Sequence, residues 1–60
     1  MSVKETIIEK MRAAGYDMIT ASEEATRAIR EFLASGKKEH TLSIRGANGK
    51  AVDAFTLRRK

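Results

Sequence analysis

The sequence predicts an α+β fold, two short helices followed by a two-stranded antiparallel β-hairpin. Three observations lead there. Apolar residues recur at helical spacing up to residue 35. The period switches to two after residue 38. Asn48-Gly49 then separates two alternating runs, the strongest short-range sign of a hairpin.

The first helix is expected over about residues 3–14. Ser2 and Glu5 have the spacing of a capping box, in which hydroxyl and carboxylate satisfy two N–H groups that lack a helical partner. Val3, Ile7, Ile8, Met11 and Ala14 form one apolar stripe. Gly15 stands where the chain must turn left-handed, and Tyr16 can then pack back on Met11. A connection over residues 15–20 follows, in which Met18 and Ile19 are expected to plug the end of the core. The second helix is expected over about 21–35, opened by a second capping box, Thr20 with Glu23. Its buried face would be Ala25, Ala28, Ile29, Phe32 and Leu33, and Ser35-Gly36 would end it.

Strands are expected over about 39–46 and 50–58. A type I′ turn at Asn48-Gly49 sets Ala47 opposite Lys50, Arg45 opposite Val52, Ser43 opposite Ala54 and Leu42 opposite Phe55. Side chains alternate between the faces of a sheet, so this register sorts them. Leu42, Ile44, Ala51, Phe55 and Leu57 would pack on the helices, with His40 and Asp53 at the ends of that face. Thr41, Ser43, Arg45, Lys50, Val52, Ala54 and Thr56 would face solvent or a partner.

Residues 1–60 form a single small domain, and a chain of this length buries only about 60% of its unfolded surface. Domains of this size usually gain stability from a disulfide, a metal or a second subunit. With no cysteine and one histidine, disulfides, thiolate metal sites and multi-imidazole sites are excluded within the chain. Compact packing with good caps, or a homodimer, answers the same need. No cofactor is implied. The absence of cysteine suits a reducing compartment, and no apolar run approaches the ~18 residues of a membrane span. Glu5 and Glu9 interrupt any leader-like run, so a soluble cytoplasmic protein without membrane contact is expected.

The net charge of +4 is unevenly placed. Residues 1–35 hold five basic and six acidic side chains, whereas residues 36–60 hold seven basic and two acidic ones. Those seven are Lys37, Lys38, Arg45, Lys50, Arg58, Arg59 and Lys60.

Catalytic patterns are weak. Ser43, His40 and Asp53 are the residue types of a hydrolytic triad, but the register puts Ser43 on the face opposite to the other two, out of the ~3 Å reach a nucleophile needs from its base. Glu5 with Glu9 and Glu23 with Glu24 are solvated helix-surface pairs with nothing apolar around them to raise a pKa. Gly46-Ala47-Asn48-Gly49-Lys50 lacks the spacing of a phosphate loop and no helix follows it. An enzyme is not expected.

The basic second half directs the functional reading. The expected function is a small nucleic-acid-binding accessory or regulatory protein whose Lys37, Lys38, Arg45, Lys50, Arg58, Arg59 and Lys60 contact phosphates. The alternative is a protein–protein interaction module, a small inhibitor or assembly factor, that offers its hairpin edge or meets an acidic protein surface. Two helices before a basic hairpin also match, in order alone, a helix-turn-helix with a wing. A connection of about six residues, Glu23 and Glu24 on the end that would enter the groove, and the lack of a third helix weigh against that arrangement.

Overall fold

A computed structural model describes residues 2–59. The order is α1 (Val3–Ala13), α2 (Met18–Ser35), β1 (Glu39–Arg45) and β2 (Ala51–Arg58), and the strands pair antiparallel in one two-stranded sheet. The arrangement is α+β, as the sequence predicts.

Helix α1 begins at the expected cap, Ser2. Half of the capping box is formed: the Glu5 N–H donates to Ser2 Oγ at 3.2 Å, while the Glu5 carboxylate accepts from the Ser2 hydroxyl at 3.2 Å, so the two side chains satisfy one backbone N–H and each other. It ends at Gly15, φ +108°, with Gly15 N–H donating to the Arg12 carbonyl and Tyr16 N–H to the Met11 carbonyl, both at 3.0 Å. This closure needs only residues within five positions of one another.

Helix α2 starts earlier than expected. Its cap is Asp17, whose carboxylate accepts from Thr20 N–H at 3.4 Å, so Thr20 lies inside the first turn and not at its mouth. Aspartate caps as well as threonine does, and the earlier start adds a turn of helix. That start carries Met18 and Ile19 outward. They are 53% and 69% exposed and do not plug the core. The inward stripe of α2 contains Ala21, Ala25 and Phe32, with Ala28 half-buried between the last two. Leu33, expected inside, is 59% exposed because Phe32, about 100° round the helix, takes the inward position.

The hairpin keeps the expected register from Leu42–Phe55 to Ser43–Ala54 and continues it to Glu39–Arg58. It departs from expectation at the tip. Asn48 does not enter positive φ, so the turn is not type I′. Gly49 alone does, at φ +80°, and its N–H donates to the Gly46 carbonyl at 3.0 Å, while Gly46 N–H donates to the Lys50 carbonyl at 2.9 Å. A longer loop closed by a left-handed glycine results. One residue further, β2 carries a bulge. Ile44 pairs with Asp53 but Arg45 pairs with Ala51, leaving Val52 as the extra residue. Ala51 therefore shares the outer face with Arg45 and is exposed, not part of the core face.

Helices and hairpin meet in a core of Ile7, Met11, Ala21, Ala25, Phe32, Ile44 and Leu57, ringed by half-buried Ile8, Ala14, Tyr16, Ile29, Leu42 and Phe55.

Candidate functional site

The hairpin turns one face to the helices and one outward. The outward face is built from the cross-strand pairs Glu39–Arg58, Thr41–Thr56, Ser43–Ala54 and Arg45–Ala51. The Thr41 and Thr56 hydroxyls lie 3.3 Å apart. Arg58 Nε stands 3.2 Å from the Glu39 carboxylate, and both side chains are well exposed. This surface is two strands wide, with hydroxyls between an arginine at each end. Its one acid, Glu39, is answered by Arg58.

Among the described residues, the six basic side chains of this half do not gather into one patch. Lys37 and Lys38 lie beside Arg58 at the open end of the hairpin, and all three are exposed. Arg45 and Lys50 lie at the tip, roughly 20 Å away at the rise of a strand over six residues. Arg45 Nη1 donates to the Gly49 carbonyl at 2.8 Å, which folds part of its fork back on the loop. Lys50 N–H donates to Asn48 Oδ1 at 3.1 Å, and its side chain is exposed. Lys60 lies outside the described residues.

Arg59 stands apart from the other five described ones. Its Nη2 donates to the Leu33 carbonyl at 2.6 Å and to the Phe32 carbonyl at 3.2 Å, and its Nε donates to the Lys37 carbonyl at 2.7 Å. Its guanidinium carbon sits 5.3 Å from the centre of the Phe32 ring. The carbonyls at a helix C-terminus have no helical partner and carry partial negative charge, so a guanidinium there is a cap. Arg59 thus fastens the end of β2 to the end of α2, and most of its donors are already used.

The acids are arranged in the opposite sense. Glu5, Glu9, Asp17, Glu23, Glu24 and Glu31 all lie on or beside the helices, and Glu24 pairs with Arg27. Asp53, on the inner face of the hairpin, meets the Lys10 ammonium of α1 at 3.2 Å. Its carboxyl is held below the usual carboxylate range, first by the Ala54 N–H and then by Lys10. Hydrogen bonding from Thr20 does the same for Asp17. The helical part is thus close to neutral, six acids against Lys4, Lys10, Arg12, Arg27 and Arg30, while the excess of positive charge lies on the hairpin and its ends.

His40 pairs with Leu57 and lies on the inner face, at the margin of a groove with Phe32 and Leu42. Ser43 is on the outer face, and Asp53 is engaged by Lys10 and Ala54. Among the described residues no three His, Cys, Asp or Glu side chains come together as metal ligands, and no helix is long and apolar enough to cross a membrane.

The connection between the helices is shorter than expected, residues 14–17, so length no longer separates this fold from a helix-turn-helix. Because α2 begins at Met18, Glu23 and Glu24 lie in its second turn and not at its end, within the half that would enter a groove.

Strand alternation already places the hydroxyls of Thr41, Ser43 and Thr56 on the outer face with Arg45, and sequence reasoning missed one feature beside it. The groove between β1 and α2, lined by Ala28, Glu31, Phe32 and Leu42, had no sequence signal, because it depends on how the two layers are set against each other. In comparisons with models of known protein families, with curated proteins and with solved structures, none matched this chain.

Proposed function

We propose that this is a small nucleic-acid-binding accessory or regulatory protein, acting by binding and not by catalysis, in a cytoplasmic setting. The observation that carries the reading is the segregation of charge. The helices and their connection hold six acids against five bases, while the outer hairpin face and its two ends hold Arg45, Lys50, Arg58, Lys37 and Lys38 against the single acid Glu39, with the hydroxyls of Thr41, Ser43 and Thr56. Phosphate oxygens are contacted by arginine, lysine, serine and threonine side chains, and such contacts position a protein without reading sequence. A two-stranded ribbon also has the width the major groove of duplex DNA admits. Arg59 is assigned to the fold and removed from the contact set. Lys60 stays in it on sequence grounds alone.

Fluorescence anisotropy with labelled duplex and single-stranded oligonucleotides, at low and moderate salt, tests this reading. Binding should weaken steeply with salt, since each phosphate contact adds about 0.9 to the slope of log affinity against log salt on duplex. Absence of binding at low salt would sink it.

A further inference from the structure

The two layers of this fold differ in width. Two helices side by side, with axes about 8–10 Å apart, make a layer roughly 20 Å wide, while two strands span roughly 10 Å. The sheet therefore covers only part of the helices. The uncovered part lies along β1, where two adjoining grooves of about 320 and 270 Å³ run between that strand and α2. Their floor is Ala28, Phe32 and Leu42 in one and Met11, Tyr16 and Ala28 in the other.

The backbone at that edge is unsatisfied. Arg59 N–H donates to the Lys38 carbonyl, so Lys38–Arg59 is a hydrogen-bonded pair of the ladder. Such pairs alternate in an antiparallel ladder, which makes Glu39, Thr41 and Ser43 the non-bonded positions, and Arg45 continues the alternation along β1. Their N–H and C=O groups point away from β2, along the groove. The other edge of the sheet is blunted by the bulge at Val52.

We propose that the groove between β1 and α2 receives an extended peptide segment of a partner protein, which adds to β1 as a third strand. Alternate side chains of that segment are apolar and enter the two grooves. Its flanks are acidic. Glu24 is matched by Arg27 and Glu39 by Arg58, which leaves Arg45 at one end, Lys37 and Lys38 at the other, and Glu31 as the remaining acid of the lining. A second copy of this chain paired antiparallel along β1 does not fit. Antiparallel pairing of two β1 edges puts both helix layers on the same face, about 40 Å of helices over about 20 Å of sheet.

A displayed library of ten-residue peptides, apolar at alternate positions with two acids at each end, tests the proposal. The expected result is enrichment of peptides that bind one to one. In hydrogen exchange the amides of Thr41 and Ser43 should be open in the free protein and protected in the complex. Ser43→Pro removes only an outward donor, a change edge strands tolerate, so it should melt like the parent and lose at least ten-fold in affinity. Should that variant fail to fold, Ala28→Arg fills the floor and must give the same loss. Four results would overturn the proposal: no enrichment; binding indifferent to the folded variant; protection of these amides that grows with protein concentration alone, which assigns the edge to a second copy; or their protection by duplex DNA, which assigns it to the phosphate surface.

Discussion

The two helices end in different ways. Helix α1 is closed by its own next residues, Gly15 and Tyr16, which return their N–H groups to Arg12 and Met11. Helix α2 also turns left-handed, at Gly36, φ +75°, and Ser35 Oγ donates to the Phe32 carbonyl at 2.7 Å. Its Phe32 and Leu33 carbonyls, however, are taken by Arg59, from 27 and 26 residues away. One end is a local motif. The other has a local part, at Ser35 and Gly36, and a distant part that exists only while the hairpin is docked. A helix end of the first kind is formed wherever its sequence folds, whereas the second couples the end of α2 to the end of β2.

That coupling can be broken most severely by unseating the hairpin. Ile44 is fully buried, and a carboxylate there has no partner, so Ile44→Asp should abolish the thermal transition. Ser43→Asp, one position along and outward, should retain it. If both variants fold alike, the assignment of faces is wrong. A smaller effect isolates the latch. Arg59→Ala should cost about 1–2 kcal/mol in denaturant unfolding, the scale of a few partly solvated charge-assisted hydrogen bonds. The loss should come with faster amide exchange at Ser35 to Lys38. Gly15→Ala probes the local closure. At φ +108° an alanine is strained, and a cost of about 1 kcal/mol is expected, with faster exchange confined to the end of α1.

The smallest effect is electrostatic. Asp17 and Asp53 have carboxyl pKa values lowered in the fold from 3.8. A group depressed in this way adds stability above its unfolded pKa and loses it as pH falls through the folded value. Thermal stability should therefore decline below about pH 4. Asp53→Asn should flatten that decline, and an unchanged pH profile would show that its bond to Ala54 N–H and its ion pair with Lys10 contribute nothing.

Legibility follows the same division between local and distant interactions. The N-cap at Ser2, the closure at Gly15 and the pairing of Leu42 with Phe55 each depend on nearby residues or strict alternation, and the sequence predicts all three. The start of α2 is not legible in the same way, because Asp17 and Thr20 are both good caps three residues apart, and only packing decides between them. At the hairpin tip, Asn-Gly allows two turn geometries, and the bulge at Val52 selects the longer loop. Among the basic residues, nothing in the run Arg58-Arg59-Lys60 marks one as different. Strand alternation is what separates them. Arg58 faces outward beside Glu39, while Arg59 passes the end of the ladder and reaches α2.

Those neighbouring arginines supply the most direct measurement. Arg58→Ala and Arg59→Ala should be compared in parallel, by unfolding and by the salt dependence of duplex binding at a temperature where both are folded. The expected result is a crossed pattern. Arg58→Ala leaves stability within about 0.5 kcal/mol and lowers the salt slope by about one. Arg59→Ala loses stability and keeps the slope. Equal loss of binding from both, with stability unchanged in both, would contradict the division between a residue that faces phosphate and a residue that holds the fold together.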